Sequence, residues 1–133
     1  MIKRTQYLTK VYGQPNGWKL DAYEREGGYT AAKKALGMTR EALVDEAKKA
    51  NIRGRGGAGF PAGIKWETVR TATADVKFVC CNADEGDSGT FADRMVMEGD
   101  PYMLIEGMSF LDAIFMTVTT MSTAFMQVSK FCA

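Results

Sequence analysis

Histidine is missing altogether from the 133 residues. Its absence removes Ser-His-Asp triads, Cys-His nucleophile pairs and histidine-ligated zinc from the chemistry on offer. Cysteine is scarce, with only Cys80, Cys81 and Cys132 present. An odd count with two neighbours does not make a secreted disulfide framework, and no Cys-x-x-Cys pair offers a zinc or iron–sulfur half-site. An excess of either charge is lacking too. Seventeen basic and sixteen acidic residues leave a net charge of +1. That is not the basic surplus of an electrostatic nucleic-acid binder, so no nucleic-acid partner is expected. The opening Met1-Ile2-Lys3-Arg4-Thr5-Gln6 has no apolar core of a secretory signal, which makes a reducing, cytoplasmic location the default.

What is present is an ordinary globular composition, 46% apolar and 25% charged, in a length that suits one domain with a real core. Residues 1–50 read as an N-terminal arm followed by a helix pair. Gly13, Pro15-Asn16-Gly17 and Gly27-Gly28 break the arm, while Trp18, Leu20 and Tyr23 are expected to pin it to a larger body. The run Tyr29–Leu36 predicts a short helix stopped by Gly37. Thr39 is the expected N-cap of a second helix through Ala50. Glu41 in its first turn and Lys48 and Lys49 in its last suit the helix dipole, and Leu43, Val44 and Ala47 form a narrow apolar stripe.

The next run, Asn51–Trp66, is dominated by glycine at 54, 56, 57, 59 and 63. Each glycine costs backbone entropy on folding, so packing is not expected to account for five of them. They allow backbone N–H groups to approach a ligand, and Arg53, Arg55 and Lys65 surround them with positive charge. Phosphate suits such a nest, with a flexible glycine turn as the alternative. Gly54-x-Gly56-x-x-Gly59 satisfies the dinucleotide fingerprint, but that fingerprint also needs a strand before and a helix after. Here a helical pattern precedes, and Pro61 and Gly63 follow. Walker-A is excluded because no Gly-Lys-Ser/Thr follows.

Val76–Cys81 is a short apolar, β-branched run that predicts a buried strand, with the paired cysteines on its two faces. It leads into Asn82-Ala83-Asp84-Glu85-Gly86-Asp87-Ser88-Gly89-Thr90-Phe91. A strand ending in carboxylates and glycines is where α/β proteins place ligands. The spacing misses the EF-hand pattern. An organic ligand, a solvated turn and a metal loop all stay open on the residues alone.

Together, Ile52–Trp66 and Cys81–Phe91 resemble the NADH- and FMN-binding subunit of respiratory complex I. The same module occurs in NAD-reducing hydrogenases and NAD-dependent formate dehydrogenases. The resemblance extends upstream through Trp18 and Gly27-Gly28-Tyr29. Downstream it takes in Asp93-Arg94, Asp100-Pro101 and Leu104-Ile105-Glu106-Gly107-Met108. It implies an α/β fold, in which the helical arm precedes part of a Rossmann-like FMN-binding domain over residues 51–112. It also implies that Gly54, Arg55, Gly56, Gly57, Lys65, Asn82, Asp84 and Glu85 lie around FMN. Phe60 and Asp87 would face NADH. Relatives commonly carry an aromatic two positions beyond the tryptophan; this chain has Thr68. No catalytic side chain or protein-bound metal is implied for this stretch, because hydride passes directly from nicotinamide to flavin.

The family subunit is about three times as long. Residues 113–133 depart from its pattern, and the family's later flavin and NADH loops and its four-cysteine [4Fe–4S] bundle have no counterpart here. The expected reading is a truncated N-terminal portion of a flavin-dependent NADH dehydrogenase subunit. Its intact form would pass electrons from NADH through FMN to iron–sulfur partner subunits. The alternative is an inactive remnant serving as a flavin-binding or complex-interaction module. Ala113–Ser129 is uncharged over seventeen residues but rich in threonine, so no direct membrane span is expected.

Overall fold

Thr39 caps the best-defined helix of the chain. The computed structural model describes residues 8–115 except Gly56, Cys80, Asp84 and Gly86. Expectations placed on those four residues and on 116–133 lie outside the described residues. Six helices are present among the described residues: α1 Leu20–Arg25, α2 Thr30–Leu36, α3 Arg40–Ala50, α4 Ala62–Thr71, α5 Ala92–Gly99 and α6 Pro101–Phe115. These residues fall into two compact units, one built from 8–30 and 81–108, the other from 31–79 and 109–115.

In the second unit, α3 begins and ends where its local signals place it. Thr39 is extended (φ −74°, ψ 155°) and its Oγ1 accepts from the Ala42 N–H at 3.3 Å. Asn51 closes the helix in the left-handed region at φ 50°, which asparagine tolerates. The stripe of Leu43, Val44 and Ala47 is buried. Leu43 and Val44 join Ala35, Ile114 and Phe115 in a core flanked by Met38, Trp66, Val79 and Phe110. Helix α2 starts one residue later than expected because Tyr29 sits at φ 60°, outside helical geometry.

Helices α3 and α4 pack against each other, and Gly63 makes this possible. A Cβ at Gly63 would lie 2.7 Å from the Lys48 backbone nitrogen and 2.9 Å from its Cα. This corrects the expectation that all five glycines of the 54–63 run serve a ligand: one is a packing glycine.

The first unit strings turns through residues 9–19 and then holds α1, α5 and the start of α6, with Tyr23 of α1 reaching Tyr102 and Glu106 of α6. Its core holds Val11, Ala22 and Tyr23, with Asp100 also buried. Gly28 and Gly99 leave room for the Tyr23 and Tyr12 rings, which a Cβ would meet at 2.2 and 2.5 Å. Of the three anchors expected in the arm, Tyr23 is buried, whereas Trp18 and Leu20 are 57% and 37% exposed.

The expected α/β character is not found among the described residues, where no strand is assigned. Residues 76–79 carry the alternation of a strand, with Val76 and Phe78 exposed and Lys77 and Val79 half-buried, but no ladder. A strand exists by pairing its N–H and C=O groups with a neighbour, and no second strand stands among these residues to supply them. The sole β-type pairing here is the isolated bridge Arg53↔Pro61.

Candidate functional site

The glycine run is a closed loop. The Gly54 N–H donates to the Phe60 carbonyl at 2.8 Å, and the Ala62 N–H donates to the Ile52 carbonyl at 2.8 Å. These two bonds flank the Arg53↔Pro61 bridge and pinch the neck. The Arg53 guanidinium reaches across and donates to the Gly59 carbonyl at 3.1 Å, so this cation braces the loop from within. Inside the neck, Gly57 and Gly59 sit at φ 115° and 61° with open space where a Cβ would be. The loop backbone is therefore exposed in conformations that L side chains resist.

A helix does follow this loop, which the proline and glycine at its start had argued against. Pro61 precedes α4 at φ −61°, a torsion suited to helix initiation. Lys65 lies one turn in. Its ammonium would be 3.5 Å from a Cβ at Gly54 and lies 5.8 Å from the centre of the Phe60 ring, within cation–π range. The structure thus brings Gly54, Phe60 and Lys65 together, with Arg55 and Gly57 exposed on the same loop. Gly56 lies outside the described residues. Exposed Thr68 turns its hydroxyl back to the Ile64 carbonyl at 3.0 Å.

The remaining sequence-predicted residues belong to the other unit. Asn82 and Asp87 are exposed, Glu85 is half-buried, and Asp84 lies outside the described residues. Glu85 has a defined structural task. Its Oε1 accepts from the Asp93 N–H at 2.9 Å and its Oε2 from the Arg94 N–H at 3.1 Å. These are first-turn donors of α5, whose N-cap, Phe91, supplies no side-chain bond. Among the described residues, no cluster of three or more histidine, cysteine or acidic side chains could hold a metal. A concavity of about 440 Å³ in the second unit is lined by Ala35, Leu36, Leu43 and Ala113 among others, and shares no residue with the glycine loop.

Sequence reasoning missed a polar cluster in the first unit. The Tyr23 hydroxyl donates to Glu106 Oε2, which also accepts the Tyr29 N–H at 2.8 Å. Tyr29 meets the Tyr23 ring edge-on, centroids 5.3 Å apart, and Tyr102 lies 6.1 Å from it. Burial, with Glu106 alongside, pushes the Tyr23 phenol well above its ordinary range. Burial also raises Tyr12 and Tyr29. The available signal was Glu106 itself, a carboxylate in an apolar helical run, which needs donors if it is to be covered.

These features correspond to a known class of protein. A family profile described as "Nuo51 FMN-binding domain" matches residues 47–130, more than half the chain, and the protein belongs to that family. Among relatives, an NADH-quinone oxidoreductase subunit of Rhizobium meliloti (strain 1021) is 54% identical over 96 residues, covering 71% of this chain and 23% of its own. The NADH-quinone oxidoreductase subunit of Aquifex aeolicus (strain VF5) is 45% identical over 100 residues, 75% of this chain and 23% of its own. An NADP-reducing hydrogenase subunit of Solidesulfovibrio fructosivorans, HndC, is 44% identical over 107 residues, 80% and 22% respectively. The chain spans less than a quarter of the length of these relatives.

Proposed function

We propose that this chain carries the phosphate-binding part of an FMN site in an NADH-oxidising flavoprotein. The observation that carries this reading is the pinched glycine loop with the Lys65 ammonium beside Gly54 at the start of α4. Open backbone, a cation and a helix N-terminus form the usual cradle for a phosphate monoester. The residues therefore fit the flavin's phosphate end, with Gly54, Arg55, Gly56, Gly57 and Lys65 as its contacts. Asn82, Asp84 and Glu85 are further flavin contacts on this reading, and Phe60 and Asp87 face the dinucleotide. When bound, the flavin supplies hydride acceptance and one-electron release, which side chains cannot.

What this chain's own residues do is bind and orient. Arg53 fixes the loop by holding the Gly59 carbonyl, and Lys65 offsets phosphate charge. In the longer family members the same stretch would sit in a Rossmann-like domain, where residues 76–81 find a strand neighbour. Electrons would leave toward iron–sulfur subunits of a complex facing the cytoplasm. Among the described residues, no helix is long and apolar enough to cross a membrane.

Titration of the chain with FMN, followed by quenching of flavin fluorescence, tests the reading. Saturable quenching is expected, and Lys65→Ala should weaken it by about tenfold, the loss of one charge-assisted contact. Unchanged affinity in that variant would remove Lys65 from the site. FMN uptake without bleaching by NADH would support the binding-module alternative.

A further inference from the structure

Lys65 carries its charge differently from the other lysines of its unit that have defined contacts. Lys48 and Lys49 lie against carboxylates, and Lys77 donates to the Arg70 carbonyl at 2.8 Å. The Lys65 ammonium meets no acceptor oxygen among the described residues. It lies over the Phe60 ring, 5.8 Å from the centroid, and 3.5 Å from where a Cβ at Gly54 would stand. An aromatic ring attracts a cation through its quadrupole without an oxygen taking the N–H donors. The charge is thus held at the neck of the loop with its hydrogen-bonding capacity still available. The backbones that make the pair are both fixed. The Phe60 carbonyl accepts the Gly54 N–H at 2.8 Å, Pro61 confines the residue before it, and Lys65 stands one turn into α4. Phe60 is 46% exposed, so much of the ring stays open.

We propose that Phe60 is a positioning residue for the Lys65 ammonium in the phosphate subsite. This rests on the flavin reading above and adds a task to the ring that faces the dinucleotide there. A lysine side chain left to itself spreads its charge over many rotamers, and ordering it offsets part of the contact with an incoming anion. The ring keeps the ammonium beside Gly54 before the phosphate arrives, so less ordering is left to the binding step. Gly54, Phe60 and Lys65 all belong to one compact unit.

The test uses the full 133-residue chain, with NMR of the Lys65 ε-methylene protons and quenching of FMN fluorescence as the two readouts. The ring current of Phe60 should place the Lys65 ε-protons upfield of those of exposed lysines, and Phe60→Leu should return them. Phe60→Leu should weaken FMN binding by about two- to fivefold, the range of an exposed cation–π contact. Phe60→Trp should keep the affinity. Phe60→pentafluorophenylalanine preserves the shape of the ring and reverses its quadrupole, so it should weaken FMN as leucine does. With Lys65→Ala already present, Phe60→Leu should weaken FMN no further. The wild-type NMR signal needs no variant, so a poorly folded substitution does not stop the test. Undisplaced Lys65 protons would overturn the proposal and leave the flavin reading standing. So would a Phe60→Leu loss that persists without Lys65, the mark of a ring that touches the flavin itself. Full affinity in the fluorinated chain would overturn it as well, by assigning the effect to shape. If the wild-type chain takes up no FMN, the flavin reading falls and the positioning role falls with it.

Discussion

Among the described residues, Asp100 is the buried charged side chain with an unpartnered oxygen. It is 1% exposed, its Oδ1 accepts the Met103 N–H at 3.2 Å, and its Oδ2 meets no donor among the described residues. Coming just before Pro101, it caps α6, which explains why a carboxylate is placed there at all. Burial pushes its carboxyl above the ordinary range; the Met103 N–H pulls the other way, and nearby Glu106 adds to the rise. A raised native value means the folded chain holds this proton at pH values where the unfolded chain has lost it. The resulting stability is fully present below the ordinary carboxylate value and is lost as pH rises through the raised one. Asp100→Asn keeps the oxygen that caps α6 and removes the charge. Urea denaturation should therefore show the variant gaining on the wild type as pH rises from the ordinary carboxylate value toward neutrality. Parallel stability profiles for the two proteins would show that Asp100 stays ionised in the fold.

At the scale of elements, the contact between α3 and α4 depends on a single missing methyl group. Gly63→Ala would press a Cβ onto Lys48 backbone atoms at 2.7–2.9 Å, and overpacking of this kind costs about 1–3 kcal/mol. Gly57→Ala meets no atom within 4 Å but stands at φ 115°, so its cost comes from backbone torsion in the loop and not from packing. Gly63→Ala should lower the thermal unfolding midpoint of the chain, and an unchanged midpoint in that variant would show that Gly63 does not press on α3. The contrast also shows what the sequence could convey. Helix α3 was legible to the residue, because its cap, charges and stripe all lie within a few positions of the bonds they make. The glycine loop was legible as a loop, since a run so rich in glycine beside cations belongs to no regular element. Its closure at Gly54 and Ala62, and the packing role of Gly63, depend on segments that only folding brings close. The α5 donors that Glu85 serves lie eight and nine residues away, beyond the reach of any local capping pattern, so its structural task was not legible. The strand at 76–79 kept its alternation but not its pairing, and pairing is never a property of one segment.

Across the whole molecule, charge and exposed apolar surface act together. A net charge of +1 at pH 7 leaves almost no long-range repulsion between copies. At the same time Leu36, Phe78, Trp18 and Phe91 are 76%, 70%, 57% and 57% exposed, far more accessible than large side chains in a finished core. Hydrophobic attraction changes little across the mild pH range, so repulsion decides whether copies meet. Near neutrality the chain should associate most strongly. Lowering the pH toward about 4.5 begins to protonate its sixteen carboxylates against seventeen cations and should disperse it through growing positive charge. Light scattering at fixed concentration should then peak close to neutral pH and fall on the acid side, with added salt restoring it by screening. Phe78→Lys should lower the peak at every pH, since it removes the most exposed aromatic among the described residues and adds charge in one step. Scattering that stays flat across pH while Phe78→Lys still lowers it would assign the association to apolar contact alone and leave net charge no part in it.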